Sequence, residues 1–311
     1  MAVIRKEAYF NSTDGKNKVR TLIWEDDSCE KVAVFQIAHG VAEHIGRYDA
    51  FARYMAENGF VVCGNDHLGH GKTATAIEVL GHINGDDGAV RIVDDMHVLY
   101  NIMHKRYPDL PYFLFGHSMG SFAARIYATL FGYELCGLCL CGTGQLPEQA
   151  GLLEMPLDLL IKYFGHDGSV GNLFRLAGKF QSLQFEGETG DENAWLSRNK
   201  ENREDYAADP YCGFSLPAGG MKTLAALAVK ACNPNWAISI PTALRVMLIS
   251  GAKDPIGQNG RGVLKVAEQL ELAGIEPTVI LYPGARHEIL NENDRDMVYK
   301  DVLAWAYEAM N

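Results

Sequence analysis

The chain has 311 residues, 48% of them hydrophobic and 22% charged, the make-up of a folded globular protein and too apolar for a disordered one. With 28 Lys and Arg against 39 Asp and Glu the formal charge is −11, so the average surface repels phosphate backbones and anionic bilayers, and nucleic acid is excluded as a partner. The seven cysteines form an odd, scattered set, which argues against a disulfide framework and fits a reducing compartment. No apolar run reaches the roughly 20 residues that span a bilayer, and MAVIRKEAYFNSTDGKNK lacks the apolar stretch of a secretory signal. The expectation is a cytoplasmic protein without an integral membrane segment.

In chain order, AYFNSTDGKNKVRTLIWED reads as a hairpin. The runs VAVFQIAHG, FVVCGNDH and YFLFGH then alternate with helix-like patterns over 47–58 and 88–106, followed by a helix over 119–131 and the strand ELCGLCLCG. Short continuous apolar runs between amphipathic helices predict a mostly parallel, doubly wound α/β sheet covered on both faces. The alternation stops over 145–240, where PLDLLIKYFG, GNLFRLAGKF, DENAWLSRNKENREDY and GGMKTLAALAVKAC carry helical patterns of their own. It resumes with RVMLISG, a helix over 260–273, PTVILYPG and a last helix over 294–310. The expected organisation is a core of 1–144 and 241–311 with a helical cap, 145–240, over the carboxyl ends of the strands, the edge where open α/β sheets bind ligands. Cys136, Cys139 and Cys141 lie within a strand pattern and have no fourth ligand spaced for zinc, so they read as small buried hydrophobes.

The seam between YFLFGH and the helix after it reads Gly116-His-Ser118-Met-Gly120, a G-x-S-x-G with a strand before and a helix after. Such a turn forces strained backbone angles on the serine and crowds the residues two places either side, so glycine is needed at both flanks. It lifts the Ser118 hydroxyl into a cleft and leaves the Met119 N–H at a helix N-terminus, suited to an oxyanion. The plainer reading is a strand-to-helix turn with a serine cap.

Serine needs a base, and His287 is the one histidine of ten beyond RVMLISG, in the loop GARHE after PTVILYPG. The acid would end a strand between the two, and Asp254 in RVMLISGAKDP does so, placed to accept the His N–H and hold its tautomer. Taken singly, Asp254 could be a loop cap and His287 an exposed loop histidine. The second oxyanion donor is expected after an early strand, and in QIAHGVAEHIGRY the Val41 N–H follows Gly40; each such donor is worth about 3 kcal/mol to a transition state. A rival cluster of Asp66, His67 and His70, with His39 and His44 upstream, suggests metal-dependent hydrolysis, but it lacks the helical H-E-x-x-H spacing and reads as structural hydrogen bonding.

HGVAEHIGRY, NDHLGHGKT, GHSMGS, WLSRNKENREDYAADPYCGF, SGAKDPIG and GARHEILNE together resemble the α/β-hydrolase serine hydrolases that include monoacylglycerol lipases, lysophospholipases and serine aminopeptidase-like proteins. The resemblance spans most of residues 30 to 310. It implies Ser118 as nucleophile, Asp254 as acid, His287 as base, and the backbone N–H groups of Val41 and Met119 as oxyanion donors. It also implies an acyl-enzyme route that needs no cofactor and no metal. Ser121 stands where the family often has Gly, and Val41 and Ala42 are larger than its usual residues there. The substrate implied is an acyl ester with one medium or long chain, and the negative charge favours neutral or cationic substrates. Leu152, Leu153, Leu159, Leu160, Ile161, Leu224 and Leu227 either line an acyl slot or pack the cap on the body. Two alternatives stand beside this reading: an aminopeptidase-type enzyme using Glu186 or Glu188 to hold a substrate ammonium, and a non-catalytic binding protein of the same fold.

Overall fold

A computed structural model describes residues 3–83, 85–146, 154–170, 173–185 and 190–311. The hairpin is β1 (Ile4–Asn11) and β2 (Lys18–Glu25), followed by β3 (Ala33–Ala38), β4 (Phe60–Asn65), β5 (Tyr112–His117), β6 (Gly137–Cys141), β7 (Arg245–Gly251) and β8 (Thr278–Tyr282). They form one sheet in the order β1-β2-β4-β3-β5-β6-β7-β8. The β1–β2 and β2–β4 pairings are antiparallel, and every later pairing is parallel. This is the strand order of the α/β-hydrolase fold.

Strands β3 to β6 are buried along their whole length, which is why their sequences are continuous apolar runs and do not alternate. On one face Val34, Leu114 and Leu138 pack with Met96 and Tyr127 from α2 (Gly88–Arg106) and α3 (Met119–Phe131). On the other, Phe35, Phe113 and Phe115 pack with Phe51 of α1 (Asp49–Glu57) and with Trp305 near the C-terminus. Phe35 meets Phe51, Phe60 and Phe113 at ring centroids of 5.8, 6.0 and 6.2 Å, each such pair adding about 1 kcal/mol beyond burial. Cys139 and Cys141 belong to this second cluster and all seven cysteines are free.

Between β6 and β7 the described residues hold α4 (Glu154–Phe164), α5 (Leu173–Ser182), α6 (Lys200–Ala208) and α7 (Ala218–Ala231). Leu227, Ala228 and Ala231 of α7 join the cluster under α2 and α3. Leu227 therefore packs the body and does not line a slot, Leu224 packs against the same cluster, and Leu159 is exposed. Leu152 and Leu153 lie outside the described residues. DENAWLSRNKENREDY is only half helical: α6 starts at Lys200 because the Asn199 side chain accepts the N–H groups of Glu201 and Asn202. The part before the cap runs beside the loop after β8, with Glu288 N–H donating to Leu196 O at 2.7 Å. The chain closes with α8 (Arg261–Leu272) and α9 (Arg295–Ala309). Parallel strands bring the residues after Ala38, His117, Cys141, Gly251 and Tyr282 to a single edge of the sheet.

Candidate active site

At the end of β5, Ser118 has φ 53° and ψ −120°, a region that costs a non-glycine residue about 1–3 kcal/mol. The surroundings hold it there. Its N–H donates to Cys141 O at 3.0 Å, and its carbonyl accepts Ser121 N–H at 2.8 Å and Ser121 Oγ–H at 2.6 Å. The hydroxyl of Ser121, where the family often has glycine, thus braces the turn. A Cβ on Gly116 would sit 2.8 Å from Ala124 Cβ, and one on Gly120 would sit 2.6 Å from His39 O. Both flanking glycines are therefore demanded by close approach.

Asp254 and His287 meet beyond the ends of β7 and β8. The loop after β8 folds onto β7 so tightly that a Cβ on Gly251 would overlap the carbonyls of Ala285 and Arg286. Lys253 N–H donates to Ala285 O at 2.9 Å. The Asp254 side chain is 0% exposed and that of His287 is 2% exposed. Asp254 Oδ2 lies 2.9 Å from His287 Nδ1 and accepts Ser250 Oγ–H at 3.1 Å, while Oδ1 accepts Ile256 N–H at 2.9 Å. An ionised carboxylate only accepts, so Nδ1 carries the imidazole proton and Nε2 keeps the lone pair. Burial pushes the His287 pKa down, but the charge and hydrogen bond of Asp254 outweigh it, and the net shift is upward. His117, 4.7 Å away between ring centroids, is held neutral, its pKa lowered to about 4 by burial and by His287.

The serine and histidine sides converge on Gly142. Its neighbour Cys141 binds the Ser118 N–H, and a Cβ on Gly142 itself would lie 3.1 Å from His287 Cε1. This glycine, at φ 58°, carries no motif that would single it out in the sequence.

The loop after β3 runs against the serine: a Cβ on Gly40 would stand 3.2 Å from Ser118 Cβ. His39 Nε2 accepts His67 N–H at 3.0 Å, so Nδ1 bears the proton and donates to Gly40 O at 2.7 Å. That carbonyl and the Val41 N–H belong to one peptide plane, so His39 fixes the direction of the Val41 N–H. Glu43 Oε1 accepts Gly40 N–H at 2.6 Å and Tyr48 O–H at 2.8 Å. Arg47 then joins Glu43 at 3.0 Å to both oxygens of Glu288 at 2.6 and 2.8 Å, and donates to Asn202 Oδ1 of α6 at 3.0 Å. This buried network ties the loops of Val41 and His287 to the inserted segment, and sequence reasoning missed it. Only the helical spacing of Glu43 and Arg47 signals part of it; Glu288 and Asn202 are distant in sequence.

The rival histidines form a packed cluster. His39 lies 4.2 Å from His67 and 5.3 Å from His70 between ring centroids, and all three are buried. Burial keeps them neutral, with His67 lowered to about 3. Asp66 is committed to the N–H groups of Ile45 and Lys72 and to Arg20. Among the described residues, His44, Asp209 and Cys212 do bring potential ligand atoms within 4.8 Å. However, His44 Nδ1 accepts Gly46 N–H, so Nε2 carries the proton and donates to Asp209 at 2.9 Å. The lone pair a metal would need is on the nitrogen already engaged, and this trio does not fit a metal as it stands. Glu186 and Glu188 lie outside the described residues.

The model of the Hydrolase_4 family, described as serine aminopeptidase S33, matches residues 30–294. The chain belongs to that family of α/β-hydrolases. It is 27% identical over 289 residues to a monoacylglycerol lipase of Mycolicibacterium smegmatis, covering 91% of this chain and 90% of the relative. The rat (Rattus norvegicus) monoglyceride lipase is 25% identical over 281 residues, covering 86% and 79%. Among solved structures, a thermostable carboxyl esterase from Bacillus coagulans in complex with glycerol superposes with a TM-score of 0.90 at 34% identity over 100% of both chains. A lipase in open form matches at 0.90 and 29% identity, over 99% of this chain and 100% of that one. This hydrolase is thus lipase- and esterase-like, and no described helix is long and apolar enough to cross a membrane.

Proposed function

We propose that the protein hydrolyses carboxylic esters through an acyl-enzyme on Ser118, with His287 as base and Asp254 as its orienting acid. The observation that carries the reading is the convergence of a positive-φ serine and a buried, carboxylate-bound histidine on Gly142. His287 Nε2 takes the Ser118 proton as Oγ attacks the ester carbonyl, and the developing oxyanion is met by the N–H groups of Val41 and Met119. The imidazolium gives its proton to the leaving alcohol. Water then attacks the acyl-enzyme, losing its proton to the same nitrogen, which returns it to the leaving Ser118 Oγ as the acid is released. Asp254 stabilises the imidazolium in both halves.

For the substrate we propose an ester with one acyl chain and a small alcohol, of the monoacylglycerol or lysophospholipid kind. The lipase relatives and the glycerol in the related esterase's structure support this. So do the large apolar side chains that α4 and α5 leave exposed, among them Leu159, Tyr163, Leu176 and Phe180, a surface suited to aggregated lipid. The cytoplasmic expectation is kept as part of this reading, in keeping with seven free thiols.

The test is fluorophosphonate labelling of the wild type and Ser118→Ala, followed by hydrolysis of p-nitrophenyl esters of graded chain length beside aminoacyl amides. Labelling lost in Ser118→Ala and turnover rising with chain length are expected. Labelling that survives the substitution, or turnover of the amides alone, would overturn the ester reading in favour of a binding protein or a peptidase.

A further inference from the structure

Trp195 lies in the turn that precedes α6 and has no part in the chemistry above. Its ring stands 5.0 Å from the His287 imidazole between centroids, tilted by 32°. Among the described residues it is the one tryptophan in ring contact with a histidine. It is held from two directions. Its carbonyl lies 3.4 Å from the His287 N–H that donates to it, while its own N–H donates to Ser182 Oγ at the end of α5, at 3.2 Å. One turn back along α5, Gly178 approaches the indole so closely that a Cβ there would be 3.1 Å from Nε1. The same indole lines a cavity of about 260 Å³ bordered by Gly178, Glu192, Tyr206 and Gly213.

The imidazole is thus packed against an inserted-segment side chain that is itself pressed by an inserted helix. The other groups facing His287 are Asp254 from the loop after β7, His117 from the end of β5, its neighbour Glu288, and Glu43 from the loop after β3. All of them act through charge or titration. Trp195 carries neither, so it can act on the ring only by packing and by excluding water.

We propose that Trp195 is a positioning residue for His287: its indole keeps the imidazole in place and dry, and through Gly178 it transmits the packing of α5 to the base. The proposal rests on His287 being the base.

The test uses Trp195→Ala, Trp195→Phe and Gly178→Ala, with His287→Gln as reference. Protonated imidazole quenches a neighbouring indole, so the emission difference between wild type and Trp195→Phe should titrate with His287 and lose its pH dependence in His287→Gln. Asp254 holds the imidazole pKa up against burial, and admitting water weakens both effects, the larger Asp254 attraction most. In Trp195→Ala the acid limb of the kcat/KM profile should therefore move down towards 6.5 by about half a unit, with kcat at neutral pH falling about 3- to 10-fold. Trp195→Phe, which keeps a ring, should restore most of both. Gly178→Ala, which pushes the indole without touching the base, should shift the emission and the limb in the folded enzyme even if Trp195→Ala does not fold. An emission difference that ignores pH, or limbs that coincide in all three variants, would overturn the proposal while leaving the base intact. Full fluorophosphonate labelling by His287→Gln would instead overturn the assignment of the base.

Discussion

Replacing Arg47 by methionine keeps most of its volume and removes the charge at the centre of the network beside the candidate site. The side chains of Arg47, Glu43 and Glu288 are only 10%, 4% and 5% exposed, so the substitution strands two carboxylates out of water. Burial raises the Glu288 pKa, but the charge and hydrogen bonds of Arg47, with that of Asn202, hold it at about 2 against an ordinary 4.5. By linkage that difference is worth about 3 kcal/mol at neutral pH, which matches the roughly 3–5 kcal/mol lost when one partner of a buried pair is removed. Arg47→Met should thus lose about 3–4 kcal/mol. The sign with pH follows. In the wild type the Glu288 contribution is present above pH 4.5 and lost as pH falls towards 2. In the variant, burial without compensation raises that pKa, so the deficit is largest at neutral pH and shrinks on acidification. Urea denaturation followed by circular dichroism at pH 7.5 and 5.5 measures it. Arg47→Met/Glu288→Leu, which removes both partners, should recover more than half of the loss. A deficit below about 1 kcal/mol, a deficit equal at the two pH values, or a double variant no better than the single would refute this account.

Asp254→Asn should lower kcat by about 10³- to 10⁴-fold with little change in KM, because an amide neither fixes the imidazole tautomer nor stabilises the imidazolium. Since Asp254 raises the His287 pKa against the pull of burial, the acid limb of wild-type kcat/KM should lie above 6.5, the ordinary imidazole value, and a limb at or below it would contradict the assignment. Gly120→Ala drives a Cβ towards the His39 carbonyl, to 2.6 Å, where no side-chain rotation relieves it; thermal melts should show a loss of more than about 2 kcal/mol together with loss of probe labelling. His39, His67, His70 and His117 all have folded pKa values below 6.5. Unfolding therefore takes up protons, and stability that is full above pH 6.5 should fall by up to about 1.4 kcal/mol per pH unit for each ring as the pH drops towards 4. Denaturation midpoints across pH 7.5 to 4.5 test this.

Local chemistry made much of the molecule readable in one dimension. Strands buried on both faces must be apolar throughout, so VAVFQIAHG, FVVCGNDH and YFLFGH declared themselves as β3, β4 and β5, and α2 and α3 occupy the expected 88–106 and 119–131. The strained turn at Ser118 was legible because only glycine fits beside it, and Asp254 and His287 because parallel strands deliver their ends to one edge. Contacts between distant segments leave no such mark. Nothing local shows that Gly142 must make room for the imidazole, that Glu288 pairs with Arg47, or that Leu227 packs the body. The stretch around Trp195 reads as helix from its own pattern, yet the cap at Asn199 starts α6 only beyond it, and the loop after β8 holds it as a turn against His287. Periodicity and steric demand act over a few residues and are written into the chain, whereas the partner of a buried charge or the neighbour of a ring is chosen only when the sheet brings remote loops together.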